Sequence, residues 1–76
     1  MKIRYDEEAD ALYIKLQEAE YYEGDEIQEG FILDYDADGN IIAIEILEVS
    51  THVPLADLST MSFEINRQLM KTGSNG

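Results

Sequence analysis

Phe31-Ile32-Leu33-Asp34-Tyr35-Asp36-Ala37-Asp38-Gly39-Asn40-Ile41-Ile42-Ala43-Ile44-Glu45-Ile46-Leu47-Glu48-Val49 is the stretch on which the fold turns. From Asp34 to Glu45 its letters fit the calcium loop of an EF-hand, with acids at positions 1, 3 and 5, glycine at 6, isoleucine at 8 and glutamate at 12. An EF-hand needs a helix on either side of that loop. Here Phe31 to Asp36 and Ile41 to Val49 are instead rich in β-branched and aromatic residues, which suit strands. Asp36-Ala37-Asp38-Gly39-Asn40 suits a type I turn followed by Gly39 in the left-handed region, the pattern of a three-residue hairpin loop. Uninterrupted pairing through that turn sets Tyr35 against Ile41, Asp34 against Ile42 and Phe31 against Glu45. Side chains alternate along a strand. This register therefore sends Asp34 and Glu45 to opposite faces, where they cannot close one cage.

A smaller cation site survives at the turn. Asp36, Asp38 and the Asn40 side chain crowd together, an incomplete oxygen shell that water would complete around calcium or magnesium. The competing reading, which we favour, is that Asp36 and Asp38 hydrogen-bond their own turn backbone, as these residues routinely do.

Working outward, Ile3-Arg4-Tyr5 and Ala11-Leu12-Tyr13-Ile14-Lys15-Leu16 alternate in the same way, joined by the polar Asp6 to Asp10. Leu12, Ile14 and Leu16 share one face, and Ala11, Tyr13 and Lys15 the other. Residues 17–30 are acidic and poor in apolar side chains, and a strand near 25–29 belongs at a sheet edge, where charge discourages pairing with other chains. Gly30 marks a bend. Beyond the strands, Pro54 starts a helical turn, and Leu58, Met61, Ile65 and Leu69 recur at spacings of three and four, which predicts an amphipathic helix over 61–71. Ser59 and Thr60 offer its N-cap. Thr72 to Gly76 reads as a disordered end.

The expected architecture is α+β: an antiparallel β-meander of four to five strands with a C-terminal helix packed on one face. It forms one domain over 1–71, an acidic β-meander at 1–49 and a helical tail at 54–71. The strand after Asn40 is apolar on both faces, so the sheet needs two covers. The helix supplies one. Self-association or a partner supplies the other, with Ile32, Ile42, Ile44, Ile46 and Tyr13 as the candidate interaction surface.

Composition narrows the function. The 76-residue chain carries a net charge of −12, all of it before Ser50. Such a surface repels phosphate backbones, which argues against direct nucleic-acid binding, and attracts a basic protein. A chain this short exposes about 40% of its unfolded surface even when folded. There is no cysteine, which excludes disulfides and thiolate chemistry and suits a reducing, cytoplasmic setting. No apolar run is long enough to span a membrane. His52, the single histidine, sits at a strand-to-helix junction without evident partners, and no carboxylate lies in a clearly apolar setting. We therefore expect no enzyme and no cofactor. The five tyrosines, Tyr5, Tyr13, Tyr21, Tyr22 and Tyr35, serve equally well as recognition groups or as packing along a thin sheet.

Three ordered motifs carry a resemblance. Tyr5-Asp6-x-Glu8-Ala9-Asp10-Ala11-Leu12-Tyr13-Ile14, then Glu29-Gly30-x-Ile32-Leu33-Asp34-Tyr35-Asp36-x-Asp38-Gly39-Asn40-Ile41, then Ile44-Glu45-Ile46-Leu47, closely resemble the small prokaryotic family catalogued as domain of unknown function 2283. The resemblance covers residues 1–50. It implies no catalytic residues. Through the genomic association of some members with small toxin proteins, it implies an antitoxin-like binding role, and it leaves residues 51–76 outside the shared pattern.

Overall fold

The structure, a computed structural model, describes residues 1–67. Five strands form one antiparallel sheet: β1 (Lys2–Asp6), β2 (Ala11–Lys15), β3 (Glu23–Gln28), β4 (Phe31–Tyr35) and β5 (Ile41–Leu47). A 3-10 turn (Val49–Thr51) and a one-turn helix, α1 (Leu55–Leu58), follow. No helix among the described residues is long and apolar enough to cross a membrane.

The strand order is β1-β2-β5-β4-β3. The expected meander is thus corrected: β5 returns between β2 and β4 instead of adding at an edge. Composition explains why. β5 is the longest strand and is apolar on both faces, so a central position buries more of it than an edge would. The acidic β3, exposed along its whole length, takes an edge as expected. To reach that edge, residues 16–22 run past the ends of β5 and β4. Leu16 and Gln17 both donate to the Ile42 carbonyl, at 2.8 and 3.4 Å, and Tyr22 N donates to Tyr35 O at 2.8 Å.

Two glycines set the turns. Gly39 closes the β4–β5 hairpin at φ 87°, and its N–H donates to Asp36 O at 3.1 Å. Gly30 joins β3 to β4 at φ 84°. Both values lie where a Cβ is penalised.

The helical tail does not form as predicted. α1 stops at Leu58, and residues 61–67 carry no regular structure. The remainder of the predicted helix, 68–71, and the expected disordered end lie outside the described residues. Met61, Phe63 and Ile65 are all exposed. A short helix is stable only when tertiary packing rewards it, and here its apolar side chains find none. The core is correspondingly thin: Ile42, Ala43 and Val49 are the buried apolar residues, with Asp34 beside them.

Candidate functional site

Register divides the sheet into two chemically distinct faces. Partners directly opposite each other point the same way. Ile3, Ile14, Ile44 and Leu33 therefore form one continuous row across four strands. Tyr5, Leu12, Ile46 and Phe31 form a second row beside it. Ile3 is exposed and the other seven are half-buried, so this apolar face is unsealed among the described residues. His52 touches its margin, its ring 5.0 Å from that of Phe31. Leu55 and Leu58 of α1 border a groove with Tyr5 at the other end.

At the β3 edge the same face carries Asp25, opposite Leu33, and Glu23, opposite Tyr35. The three basic residues of the sheet, Lys2, Arg4 and Lys15, all lie on the reverse face. The apolar face is thus bordered by carboxylates and has no strand cation.

The expected interaction surface is split by this geometry. Ile44 and Ile46 belong to the apolar rows. Ile32, opposite Glu45, and Tyr13, also opposite Glu45, lie on the polar face. Ile42 is only 4% exposed and presents no surface. The cause is a bulge. Tyr35 pairs with Ile41 as expected, but Asp34 pairs with Ala43, leaving Ile42 as an extra residue in β5. Every later pair is displaced by one position, which exchanges the faces of half the hairpin.

The same bulge overturns the separation of Asp34 and Glu45. Both now lie on the polar face, as diagonal neighbours across β4 and β5: Asp34 stands opposite Ala43 and Glu45 opposite Ile32. Asp34 is 3% exposed, and its Oδ1 has no hydrogen-bond partner among the described residues. The neighbouring Asp34 carboxyl, as a hydrogen-bonding group first, then burial and the repulsion of its charge push the Glu45 carboxyl up to about 7. Sequence reasoning missed this pair because one extra residue in β5 decides it.

At the turn, Asp36 is committed to its own loop. Its Oδ1 accepts from Asp38 N at 3.0 Å and Asn40 N at 2.8 Å, and its Oδ2 accepts from Asn40 Nδ2 at 3.0 Å. The Asn40 side chain, followed by the backbone donors, holds the Asp36 carboxyl below its ordinary range. The residues proposed as cation ligands are therefore brought together, but the donors of the turn already occupy both Asp36 oxygens. Among the described residues, no group of three or more histidine or acidic side chains is arranged to hold a metal ion.

No curated protein and no solved structure matched the chain. One family did, over residues 2–50, and its description is protein of unknown function (DUF2283). The match spans all five strands and ends within the 3-10 turn, so it covers the whole sheet and both of its faces. The chain belongs to the DUF2283 family.

Proposed function

We propose that the protein is a non-enzymatic binding module of the cytoplasm that docks another polypeptide on the apolar face of its sheet. The observation that carries this reading is the pair of apolar rows, Ile3-Ile14-Ile44-Leu33 and Tyr5-Leu12-Ile46-Phe31, of which no member is buried. Contiguous apolar surface left accessible in this way marks interaction sites in soluble proteins. The chemistry of the rim favours a basic partner. Glu23 and Asp25 border the rows, the sheet's three cations face away, and the chain carries −12 overall. An antitoxin-like role towards a small basic protein is one form of this function.

The same face supports self-association as a second reading, because two sheets packed about 10 Å apart would cover both copies at once. Charge weighs against it, since a second copy brings the same acidic rim. Light scattering after size exclusion at about 100 μM reads the homo-oligomer directly. Capture from the native cell with wild-type protein and with Ile44→Asp, repeated across a salt series, reads the basic partner. A partner lost on the variant and weakened by salt supports the proposal. A strict monomer that retains nothing through Ile44 would overturn it.

A further inference from the structure

The polar face holds the most unusual group in the molecule. Asp34 lies almost entirely out of solvent, with Oδ1 lacking any hydrogen-bond partner among the described residues and the Glu45 carboxyl its diagonal neighbour on β5. The two side chains come from neighbouring strands, β4 and β5, and are aligned by the bulge at Ile42. Among the described residues, neither carboxyl makes an ion pair. Tyr13 of β2, directly opposite Glu45, has the Arg4 guanidinium of β1 above its ring, 5.8 Å from the centroid. Lys15 of β2, opposite Ala43, places its ammonium 2.9 Å from Glu18. On β3, Glu26 turns its Oε2 to Gly30 N at 2.9 Å. Gly24 stands opposite Asp34 with no side chain to intervene. A Cβ there would meet Asp34 Oδ1 at 3.1 Å and the Tyr21 hydroxyl at 3.2 Å. The pair is therefore enclosed by a glycine, two phenols and cations engaged elsewhere.

Two carboxylates in such a site cannot both ionise without strong repulsion, and a proton held between them removes it. We propose that Asp34 and Glu45 form a proton-operated latch on the central hairpin, in which one shared proton ties β4 to β5 and its release loosens their pairing. The proton leaves to solvent, no other bond is made or broken, and the released state carries one more negative charge at the contact. Leu33, Ile44 and Ile46 alternate with Asp34 and Glu45 along the same strands, so loosening this pair also disturbs the apolar rows on the reverse face. The latch does not depend on any partner for its test.

Carboxyl-selective carbon NMR on the intact protein reads the latch directly. Glu45 is expected to titrate far above an ordinary glutamate, and a midpoint in the ordinary range would overturn the proposal. Denaturant unfolding supplies the second reading. In the wild type the unfolding constant rises between about pH 5.5 and 8, by up to roughly 25-fold if the whole Glu45 shift is expressed. Glu45→Gln keeps a neutral donor facing Asp34 and is expected to flatten that rise. Asp34→Asn, which frees Glu45 from the neighbouring charge, is expected to flatten it as well and serves if the glutamine variant does not fold. A pH dependence unchanged in either folded variant overturns the latch. Amide exchange at Ala43 and Glu45 that speeds with pH beyond the intrinsic rate in the wild type alone would locate the loosening.

Discussion

Ser50 donates a 2.6 Å hydrogen bond from Oγ to Asp10 Oδ2, joining residues forty positions apart. Asp10 gathers more than this one contact. Its Oδ1 accepts from the Tyr5 hydroxyl at 2.9 Å and Ser50 N at 3.2 Å, and its carbonyl accepts Val49 N at 3.0 Å. The backbone of Asp10 is left-handed, at φ 53°, which aims these groups back toward the end of β5. The first hairpin is thereby pinned to the segment that inserts Val49 into the core. Ser50→Ala is expected to cost about 1 kcal/mol, measured by urea unfolding, with amide exchange at Val49 accelerating first. A variant as stable as the wild type would show that Val49 packing alone holds this corner.

Stability is expected to peak in mildly acidic solution. Hydrogen bonds from Ser50 hold the Asp10 carboxyl below its ordinary value, and those from Asn40 do the same for Asp36. A depressed carboxyl stabilises the fold at pH values above its unfolded range, and that contribution is lost as pH falls through the folded value. Glu45 works in the opposite sense. Its carboxyl is raised to about 7, so its contribution is complete below the unfolded glutamate range and is lost as pH rises through neutrality. Thermal unfolding across a pH series checks this, with the melting temperature falling on both sides of a maximum between about pH 4 and 5.

The two left-handed glycines differ in surroundings, and alanine substitution separates strain from crowding. A Cβ at Gly39 would meet nothing within 4 Å, so Gly39→Ala is expected to cost only the backbone penalty, about 1–2 kcal/mol. At Gly30 the Cβ would also approach the Leu47 carbonyl oxygen at 3.3 Å. That carbonyl belongs to β5, and Leu47 N is itself bonded to Gly30 O at 2.8 Å. Gly30→Ala is therefore expected to be the more damaging of the two by chemical denaturation.

Adjacent isoleucines at the bulge should behave very differently. Ile42 is 4% exposed and Ile41 is 41% exposed. Ile42→Ala is expected to cost about 2–4 kcal/mol as a buried large-to-small change, and Ile41→Ala less than about 1 kcal/mol. Equal losses in urea unfolding would contradict the burial that separates the two.

These contrasts show where the sequence was legible. Alternation in Leu12-Tyr13-Ile14-Lys15 and in Phe31 to Tyr35 located the strands and their local faces, because period two is imposed by backbone geometry. Asp36 to Asn40 identified the hairpin turn, since glycine is the residue that readily supplies the φ required there. The bulge was not legible. Ile41 and Ile42 are the same residue type, and nothing in their letters says which is paired and which is extra. Sheet order was visible only indirectly, through the apolar character of both faces of β5. The end of the helix at Leu58 depended on packing that spacing cannot report, as the exposure of Met61 and Ile65 makes plain.

The middle strand of the sheet is also the last of the five to be synthesised. Until Leu47 has left the ribosome, β1–β2 and β3–β4 are two separate ribbons with no common neighbour, and isolated two-stranded ribbons are marginal in water. β4 can pair with β5 through a short local turn, whereas β2 must close a loop of more than thirty residues to bring Leu12 against Ile46. The pairing of β2 with β5 is thus the most non-local step in closing the sheet. The acids of residues 17–30 lie in the segment between the two ribbons and along the β3 edge, where their mutual repulsion keeps nascent chains apart while the sheet is incomplete.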